Sequence, residues 1–192
     1  MPRVLFITHP QVMVDPQLAV VRWSLSPLGL ARMQAFASTA VVRDVDAVFC
    51  STETKAVEAA RVLGERVGVT PVEIEALGEN DRTATGFLPP PAFEAAADAF
   101  FAHPQASYRG WERAVDAQRR IVTTVQGLLR KHQGRGDILI VSHGAVGTLL
   151  KCHLKGVAIT RAEDQPSQGH WYAFEAGSGA LLHDWRALEA AA

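Results

Sequence analysis

Two histidines stand at matching places in the sequence, each after a short apolar run and before a residue that breaks regular structure. His9 ends the segment 4–9, and His143 ends the segment 137–143. Four consecutive apolar residues in each segment predict a strand that is buried on both faces. If the strands are parallel neighbours, both imidazoles lie at the carboxyl edge of one sheet, where open α/β sheets bind ligands. A lone strand-end histidine is more often held by a backbone carbonyl, so only the two histidines together predict a functional site.

The residue types in the rest of the sequence exclude some of the kinds of site that two histidines could form. A metal site needs three or four ligands, and the sequence has neither a His-x-x-x-His pair nor a cysteine cluster, so we expect no metal and no cofactor. A serine triad is not expected, because the Gly-x-Ser-x-Gly pattern is absent. Histidine remains as a nucleophile. Its ordinary pKa of roughly 6.5 leaves much of it neutral near pH 7, and its attack on phosphorus would give a phosphohistidine.

Alternating strand and helix patterns predict an α/β fold around these histidines. The predicted strands are 4–7, 46–50, 69–74 and 137–142, followed by a hairpin of 170–175 and 180–185. The predicted helices are 27–38, 54–67, about ten residues from 93, 110–131 and 145–154. Ser26 is expected to cap the first helix and the run 51–54 the second. The length and the lack of a linker predict one domain over 1–192.

Two long segments have few signals of regular structure. Segment 11–21 follows the first histidine, and segment 78–91 is rich in glycine and proline. Loops of that length in compact domains tend to be functional or disordered. The second segment contains Glu79 and Asp81, which are either proton donors at a site or solvated loop carboxylates. We expect the two segments to form the specificity surfaces.

Composition excludes several classes of protein. The formal net charge is −1 and the pI is near 6.7, so no general field attracts nucleic acid or anionic lipid, and neither is an expected partner. Two cysteines, Cys50 and Cys152, lie in or beside apolar segments and are read as buried thiols of a reducing compartment. The chain start lacks the apolar core of a signal peptide, and no apolar run is long enough to span a membrane. We therefore expect a cytoplasmic protein.

Five stretches together resemble the histidine phosphatase, or phosphoglycerate mutase-like, superfamily. Residues 8–10, Thr-His-Pro, stand where that family has Arg-His-Gly, and residues 25–29 resemble its Leu-Thr-x-x-Gly helix start. Residues 51–56 resemble its Ser-Ser-x-x-Arg-Ala, and Glu79 lies where the family often has a proton donor. Ser-His-Gly at 142–144 matches the second histidine motif closely. The resemblance covers most of residues 4–155.

The resemblance implies a three-layer α/β/α sandwich with a mostly parallel central sheet. It also implies a metal-independent phosphomonoester hydrolase that acts through a phosphohistidine on His9. His143 would then stabilise the phosphoryl group together with the backbone N–H groups of the helix that it opens. Glu79 would donate the proton to the leaving oxygen, with Asp81 as the alternative. The partner would be a small phosphorylated substrate or a phosphoprotein; a mutase is less favoured because the chain is short.

The phosphate-binding candidates are Thr8, Lys55, Arg22 and Arg82. Lys55 is read equally well as a solvated lysine, and each arginine alone as a surface residue. Threonine and lysine in place of the family's two arginines remove one cation and one bidentate grip. Pro10 replaces glycine and removes an N–H donor.

These departures leave two functions open. Each lost charged contact is worth about 1.5 to 3 kcal/mol, so the transition state is weakened unless Arg22 or Arg82 fills the gap. The first hypothesis is an enzyme with a modified phosphate pocket and weak or substrate-restricted activity. The second is a catalytically impaired member that binds a phosphorylated ligand without turnover.

Overall fold

The computed structural model describes residues 2–191, in which strands and helices alternate for most of the chain. The strands are β1 (Arg3–Thr8), β2 (Val45–Cys50), β3 (Val72–Glu73), β4 (Asp137–Ser142), β5 (His170–Glu175) and β6 (Leu181–Ala187). The α-helices are α1 (Pro27–Ala37), α2 (Thr54–Val67), α3 (Pro90–Ala102), α4 (Ala114–Lys131) and α5 (Gly144–Lys155). Short 3-10 turns lie at Val20–Arg22, Ala40–Val42, Glu75–Leu77, Arg161–Glu163 and Leu188–Ala190.

The strands form one sheet in the order β3-β2-β4-β1-β5-β6. Strands β3, β2, β4 and β1 pair in parallel, and β5 pairs antiparallel with both β1 and β6. The two histidine strands are direct neighbours, with Thr8 opposite Ser142. The His9 N–H donates to the Ser142 carbonyl at 3.2 Å. The predicted α/β fold and parallel pairing of the two strands are therefore confirmed.

Both faces of the sheet are covered by helices, which gives the three layers that were predicted. Strand β1 alternates between the layers: Leu5 packs in the core that includes residues of α1 and α2, and Phe6 packs in the core that includes residues of α3, α4 and α5. Both side chains are fully buried. Four apolar residues in a row are needed in β1 because neither face of this strand meets water.

Helix α1 begins as the sequence predicts. The Ser26 hydroxyl accepts a hydrogen bond from the Gly29 N–H at 3.0 Å, and Pro27 takes the first helical position, where no N–H is needed. A Cβ atom on Gly29 would lie 2.1 Å from the Gln11 carbonyl oxygen. The glycine is therefore needed because the helix packs directly on the backbone of the loop after β1.

Three predicted boundaries were wrong. The strand predicted over 69–74 pairs only over Val72–Glu73, at the exposed edge of the sheet. Helix α4 begins at Ala114 rather than at 110, because Arg109 and Gly110 adopt positive φ angles of 48° and 87°, which a right-handed helix excludes. Helix α3 begins at Pro90, inside the proline run, because proline is tolerated in the first helical turn.

Candidate active site

The two predicted histidines meet at the carboxyl edge of the sheet. The ring centroids of His9 and His143 lie 5.3 Å apart, with an interplanar angle of 67°. His143 is fully buried and is the residue before α5, while His9 is partly buried at the wall of a cavity. At this distance the two rings are in edge-to-face contact, so a tetrahedral group that touched both would lie beside the pair and not between the rings.

The His9 ring is held in one tautomer. Its Nδ1 atom lies 2.9 Å from the Pro10 carbonyl oxygen. Because a carbonyl only accepts, Nδ1 carries the proton and Nε2 keeps a free lone pair. Burial lowers the pKa of His9 to about 4, and the nearby Lys55 ammonium adds to that effect. The ring is therefore neutral at pH 7.

His143 is oriented by the end of β2 and the start of α2. Its Nε2 atom lies 2.9 Å from the Ser51 hydroxyl oxygen and 3.3 Å from a Glu53 carboxylate oxygen. Burial lowers the pKa of His143 well below its ordinary value, although the Glu53 carboxylate acts in the opposite direction. Its Nδ1 atom is buried and has no hydrogen-bond partner within residues 2–191.

Glu53 is the site residue that the sequence reasoning missed. The run 51–54 was expected to cap α2, but Glu53 stands at the N-cap position and makes no side-chain capping bond. Its carboxylate instead accepts from Lys55 Nζ and, at 3.0 Å, from the Glu79 N–H. Burial alone would raise its pKa, yet the His143 ring and Lys55 lower the pKa of Glu53 to about 2. A carboxylate two residues before a lysine, at the start of an apolar helix, was the available signal.

Lys55 lines the cavity and is not a solvated lysine. Its side chain is buried, and Nζ donates to the Val20 carbonyl at 2.9 Å as well as to Glu53. A buried ammonium needs such partners, because an unpaired one would be strongly destabilising. Its charge is therefore shared with a carboxylate before any ligand arrives.

Glu79 reaches the first turn of α5. Its carboxylate accepts from the Ala145 N–H at 3.2 Å and from the Val146 N–H at 3.1 Å. Burial raises the pKa of Glu79, although the Arg82 guanidinium and these N–H groups oppose the change. Two of the N–H groups expected to hold a phosphate are thus occupied by the protein's own carboxylate, which corrects that expectation.

The backbone of the loop that contains Glu79 is held in place by Arg120 of α4. The Arg120 guanidinium donates to the Gly78 carbonyl at 2.9 Å and to the Glu79 carbonyl at 3.1 Å, and it forms a salt bridge with Glu112 at 2.7 Å. Asp81, the alternative proton donor, is exposed and accepts from the Thr83 N–H at 2.9 Å, outside the cavity wall. Of the two carboxylates, Glu79 and not Asp81 therefore lines the same cavity as His9.

The other phosphate-binding candidates are placed differently. The Thr8 hydroxyl donates to the Gln165 side-chain oxygen at 2.7 Å and accepts from the His170 N–H at 3.0 Å. Thr8 and Arg22 are not part of the cavity wall, and Arg22 is exposed in its 3-10 turn. Arg82 does line the wall, with its guanidinium carbon 5.0 Å from the centroid of the Phe93 ring.

Two absences in the described part of the chain bear on this site. Residues 2–191 contain no group of three or more His, Cys, Asp or Glu side chains that could hold a metal ion. No helix within the same residues has both the length and the apolar composition needed to cross a membrane.

Helices on both faces of a mixed sheet, with paired histidines at its carboxyl edge, define a phosphoglycerate mutase-like α/β protein. The model of the histidine phosphatase superfamily (branch 1) matches residues 20–180, and the chain belongs to that family. The match begins after β1, so the His9 motif lies outside it. No curated protein sequence matches the chain significantly.

Several solved structures share the fold. A mycobacterial glucosyl-3-phosphoglycerate phosphatase in complex with inorganic phosphate is 20% identical, with a TM-score of 0.77 and coverage of 97% of this chain and 95% of that one. YhfR of Bacillus stearothermophilus is 20% identical, with a TM-score of 0.77 and coverage of 96% and 95%. A putative alpha-ribazole-5'-P phosphatase of Escherichia coli is 20% identical, with a TM-score of 0.77 and coverage of 98% of both chains.

Proposed function

We propose that this chain is a phosphomonoester hydrolase that acts through a phosphohistidine on His9. The observation that carries the proposal is the 5.3 Å separation of the His9 and His143 ring centroids at the edge of the sheet. Membership of the histidine phosphatase superfamily supports it. The substrate is a small phosphorylated molecule or a phosphoprotein, as with the small-molecule phosphatases among its structural neighbours. The buried free thiols of Cys50 and Cys152 fit a reducing, cytoplasmic setting.

The first half of the reaction transfers the phosphoryl group to the enzyme. The Nε2 lone pair of His9 forms the N–P bond while the P–O bond to the alcohol breaks. The electron pair of that bond goes to the leaving oxygen, which takes a proton from Glu79. Burial raises the pKa of the Glu79 carboxyl, so that part of it stays protonated above its usual range.

The second half regenerates the enzyme. A water oxygen attacks phosphorus, and the Glu79 carboxylate takes a proton from the water. The N–P bond then breaks, and its electron pair returns to His9 Nε2 as inorganic phosphate leaves. No metal or cofactor is needed to balance either half.

Charge stabilisation comes from three groups beside the nucleophile. Arg82 and Lys55 line the cavity, and His143 lies against His9. A bound phosphate dianion would favour the charged form of His143 and so raise its pKa. Neither the Thr8 hydroxyl nor the Lys55 ammonium offers the bidentate grip of an arginine, which accounts for a modified pocket and for weak or restricted turnover.

A second candidate is binding of a phosphorylated ligand without turnover. The observation that favours it is that polar groups at the site already form hydrogen bonds or ion pairs with other residues of the protein. Lys55 is bonded to Glu53, and the Thr8 hydroxyl to Gln165 and His170. A phosphate would then compete with these bonds rather than enter a site of free donors.

Hydrolysis of an aryl phosphate at mildly acid pH separates the two functions. The full chain is compared with His9→Ala, and His153→Ala serves as the matched control because His153 is exposed on α5. We expect His9→Ala to lose at least roughly a thousandfold in kcat/KM and the control to keep full activity. Radiolabelled substrate should leave an acid-labile, base-stable label on the enzyme that is missing from His9→Ala.

The outcomes are distinct. Turnover that survives in His9→Ala would refute the nucleophile assignment. A chain that binds aryl phosphate and is displaced by inorganic phosphate, but neither turns over nor becomes labelled, would establish the binding function instead.

A further inference from the structure

A cavity of about 560 Å³ opens beside His9. Small-molecule sites usually enclose roughly 300–1,000 Å³, and a phosphate group alone needs only a small part of this one. His9, Lys55, Glu79 and Arg82 contribute to its wall, so the phosphate belongs at that end. The rest of the space is available to the alcohol part of a substrate.

Aromatic side chains form much of the remaining wall. Trp23 and Phe87 lie together, with ring centroids 5.5 Å apart. Phe93, Phe100 and Trp111 form a second group, in which the Trp111 ring lies 6.5 Å from Phe93 and 6.2 Å from Phe100. Aromatic faces bury large apolar areas and pair with other rings in offset or edge-on contacts. The wall is thus suited to a flat apolar group.

The cations of the wall are mostly neutralised by the protein. Lys55 is paired with Glu53, and Arg161 forms salt bridges with Glu94, with Asp98 and, at 4.0 Å, with Asp164. Within the described residues, Arg82 is the one lysine or arginine of the wall that forms no salt bridge, although its charge acts on the Glu79 carboxyl. One phosphate group uses that charge, so a second anionic group on the substrate would find none.

The same wall presents carboxylates. Glu94 and Asp164 both line the cavity, in addition to Glu79 at the phosphate end, and with Asp98 they place three carboxylates around the single Arg161 guanidinium, which leaves a net negative charge there. The Asp164 carboxylate is bonded to the Thr148 hydroxyl at 2.7 Å and to the Gln165 N–H at 2.8 Å, and it is therefore fixed in place. A substrate carboxylate or second phosphate would be repelled here, which is how a site rejects a competing ligand.

We propose that the site selects phosphomonoesters whose alcohol is uncharged and mainly apolar, with an aromatic ring as the best match. The inference rests on the proposed phosphatase function for its reaction, but it concerns the cavity and is testable through binding alone. Phosphorylated carboxylic acids and bisphosphates are excluded by the same wall.

The test compares three esters of alkyl alcohols, so that leaving-group reactivity is similar. The alcohol part of 2-phenylethyl phosphate is apolar, and that of glycerol 3-phosphate is polar but uncharged. The alcohol part of 3-phosphoglycerate has a carboxylate. The kcat/KM of the full chain is measured for each. We expect 2-phenylethyl phosphate to exceed glycerol 3-phosphate by about tenfold or more and 3-phosphoglycerate to be lowest.

Binding to the His9→Ala variant, measured by calorimetry, gives the same ranking without turnover. Phe87→Lys removes one ring and adds a cation to the wall, so the preference for 2-phenylethyl phosphate over 3-phosphoglycerate should fall by about tenfold. Leu182→Lys is the control, because Leu182 is exposed on β6 outside the wall. Its preference should equal that of the unmodified chain.

The outcomes separate this inference from the proposed function. Equal or stronger binding and turnover of 3-phosphoglycerate would overturn the selectivity and leave the phosphatase intact. Binding in the expected order without turnover of any ester would uphold the selectivity and overturn the phosphatase. Weak binding of all three esters, with no preference, would overturn the inference even if Phe87→Lys failed to fold.

Discussion

Glu53 and Glu79 lie together in the site, where the Glu79 N–H donates to the Glu53 carboxylate at 3.0 Å, but their surroundings shift the pKa values of their carboxyl groups in opposite directions. His143 and Lys55 lower the pKa of Glu53, whereas burial raises the pKa of Glu79. Two carboxyl groups with separated pKa values are how one site holds a fixed charge and a mobile proton at the same pH. In the proposed reaction Glu53 is therefore the fixed counter-ion and Glu79 the proton carrier.

The pH dependence of turnover follows from His9 and Glu79. The proposed reaction needs His9 neutral and Glu79 protonated, so kcat/KM should rise above pH 4, where the pKa of His9 lies, and fall as Glu79 loses its proton. We expect an optimum at mildly acid pH. Ionised Glu79 also holds the first N–H groups of α5, and this contact disfavours a phosphate in the same pH range.

Glu79→Gln tests this assignment through the leaving group. The variant should lose about 100-fold or more in kcat/KM for an alkyl phosphate and much less for p-nitrophenyl phosphate, whose alcohol leaves without a proton. Its alkaline limb should also disappear. Asp81→Asn is the control and should keep the profile of the unmodified chain. Equal losses for both esters would contradict proton donation by Glu79.

Glu53→Gln should destabilise the fold. Removing one partner of a buried ion pair costs about 3 to 5 kcal/mol, because the other charge stays buried and unpaired. Since the folded pKa of Glu53 is about 2 and its ordinary value is 4.5, its contribution is complete above pH 4.5 and is lost as the pH falls through 2.

Urea unfolding at several pH values measures this contribution. The difference in unfolding free energy between the unmodified chain and Glu53→Gln should be constant from pH 7 to 5 and shrink below 4.5. Glu65→Gln, an exposed change on α2, should show no difference at any pH. A constant difference down to pH 2 would mean that Glu53 is not ionised by its surroundings.

At the residue scale, the sequence could predict which side chains lie at the carboxyl ends of the buried strands. His9 and His143 each follow a buried strand, so pairing of the strands brought them together as predicted. The partners of a side chain depend on tertiary contacts that no local pattern contains. For that reason Glu53 was read as a cap, and the turn of the Thr8 hydroxyl towards Gln165 was not foreseen.

Helix α5 links the site to the core through its small residues. A Cβ atom on Gly147 would lie 2.6 Å from the Phe6 ring and 3.0 Å from the Trp185 ring. The close approach of α5 to β1 brings the start of the helix beside His9. A helix with a larger residue at this position would sit further from the sheet and move His143 with it.

A pair of glycine substitutions tests this packing. Gly147→Ala should cost about 1 to 3 kcal/mol of unfolding free energy, because the added methyl overpacks the core. Gly127→Ala, in the interior of α4, has its nearest neighbour at 3.9 Å and should instead stabilise by roughly 0.5 to 1 kcal/mol. Thermal or urea unfolding gives both values. A stabilised Gly147→Ala would show that α5 is not in close contact with β1.

At the element scale, strongly patterned segments were predictable and weakly patterned ones were not. Strands β1 and β4 have unbroken apolar runs, and α2 ends at Val67, before Gly68, as the sequence indicates. The start of α4 depends on the left-handed conformation of residues 109–110, which its apolar periodicity does not encode. Strand β3 is set by two pairs with β2 and not by its own sequence.

For the whole molecule, the sheet is shared by two cores. Neighbouring residues of β1 and of β4 contribute to opposite layers, as Leu5 and Phe6 do in β1 and Leu139 and Ile140 do in β4. Neither layer can lose its packing without exposing one face of these central strands. The two layers should therefore unfold as one cooperative unit.

The two cysteines report on this cooperativity, since they lie in different layers. Cys50 ends β2 and packs in the core on the α1–α2 side, and Cys152 lies on α5 on the other side; both thiols are fully buried. Burial raises the pKa of Cys50 to about 12 and that of Cys152 above its ordinary value. In the native protein neither thiol should react with a disulfide reagent at pH 8.

Labelling in increasing urea should then expose both thiols together. Because each thiolate forms only after the sheet opens, Cys50→Ala and Cys152→Ala should label with the same midpoint and the same slope against urea as global unfolding followed by circular dichroism. Earlier labelling of Cys152 would mean that the α5 layer, and with it the segment after His143, opens while β1, β2 and β4 remain paired. In that case the site would depend on the stability of the α5 layer alone. Turnover would then be lost at a lower urea concentration than the one that unfolds the sheet.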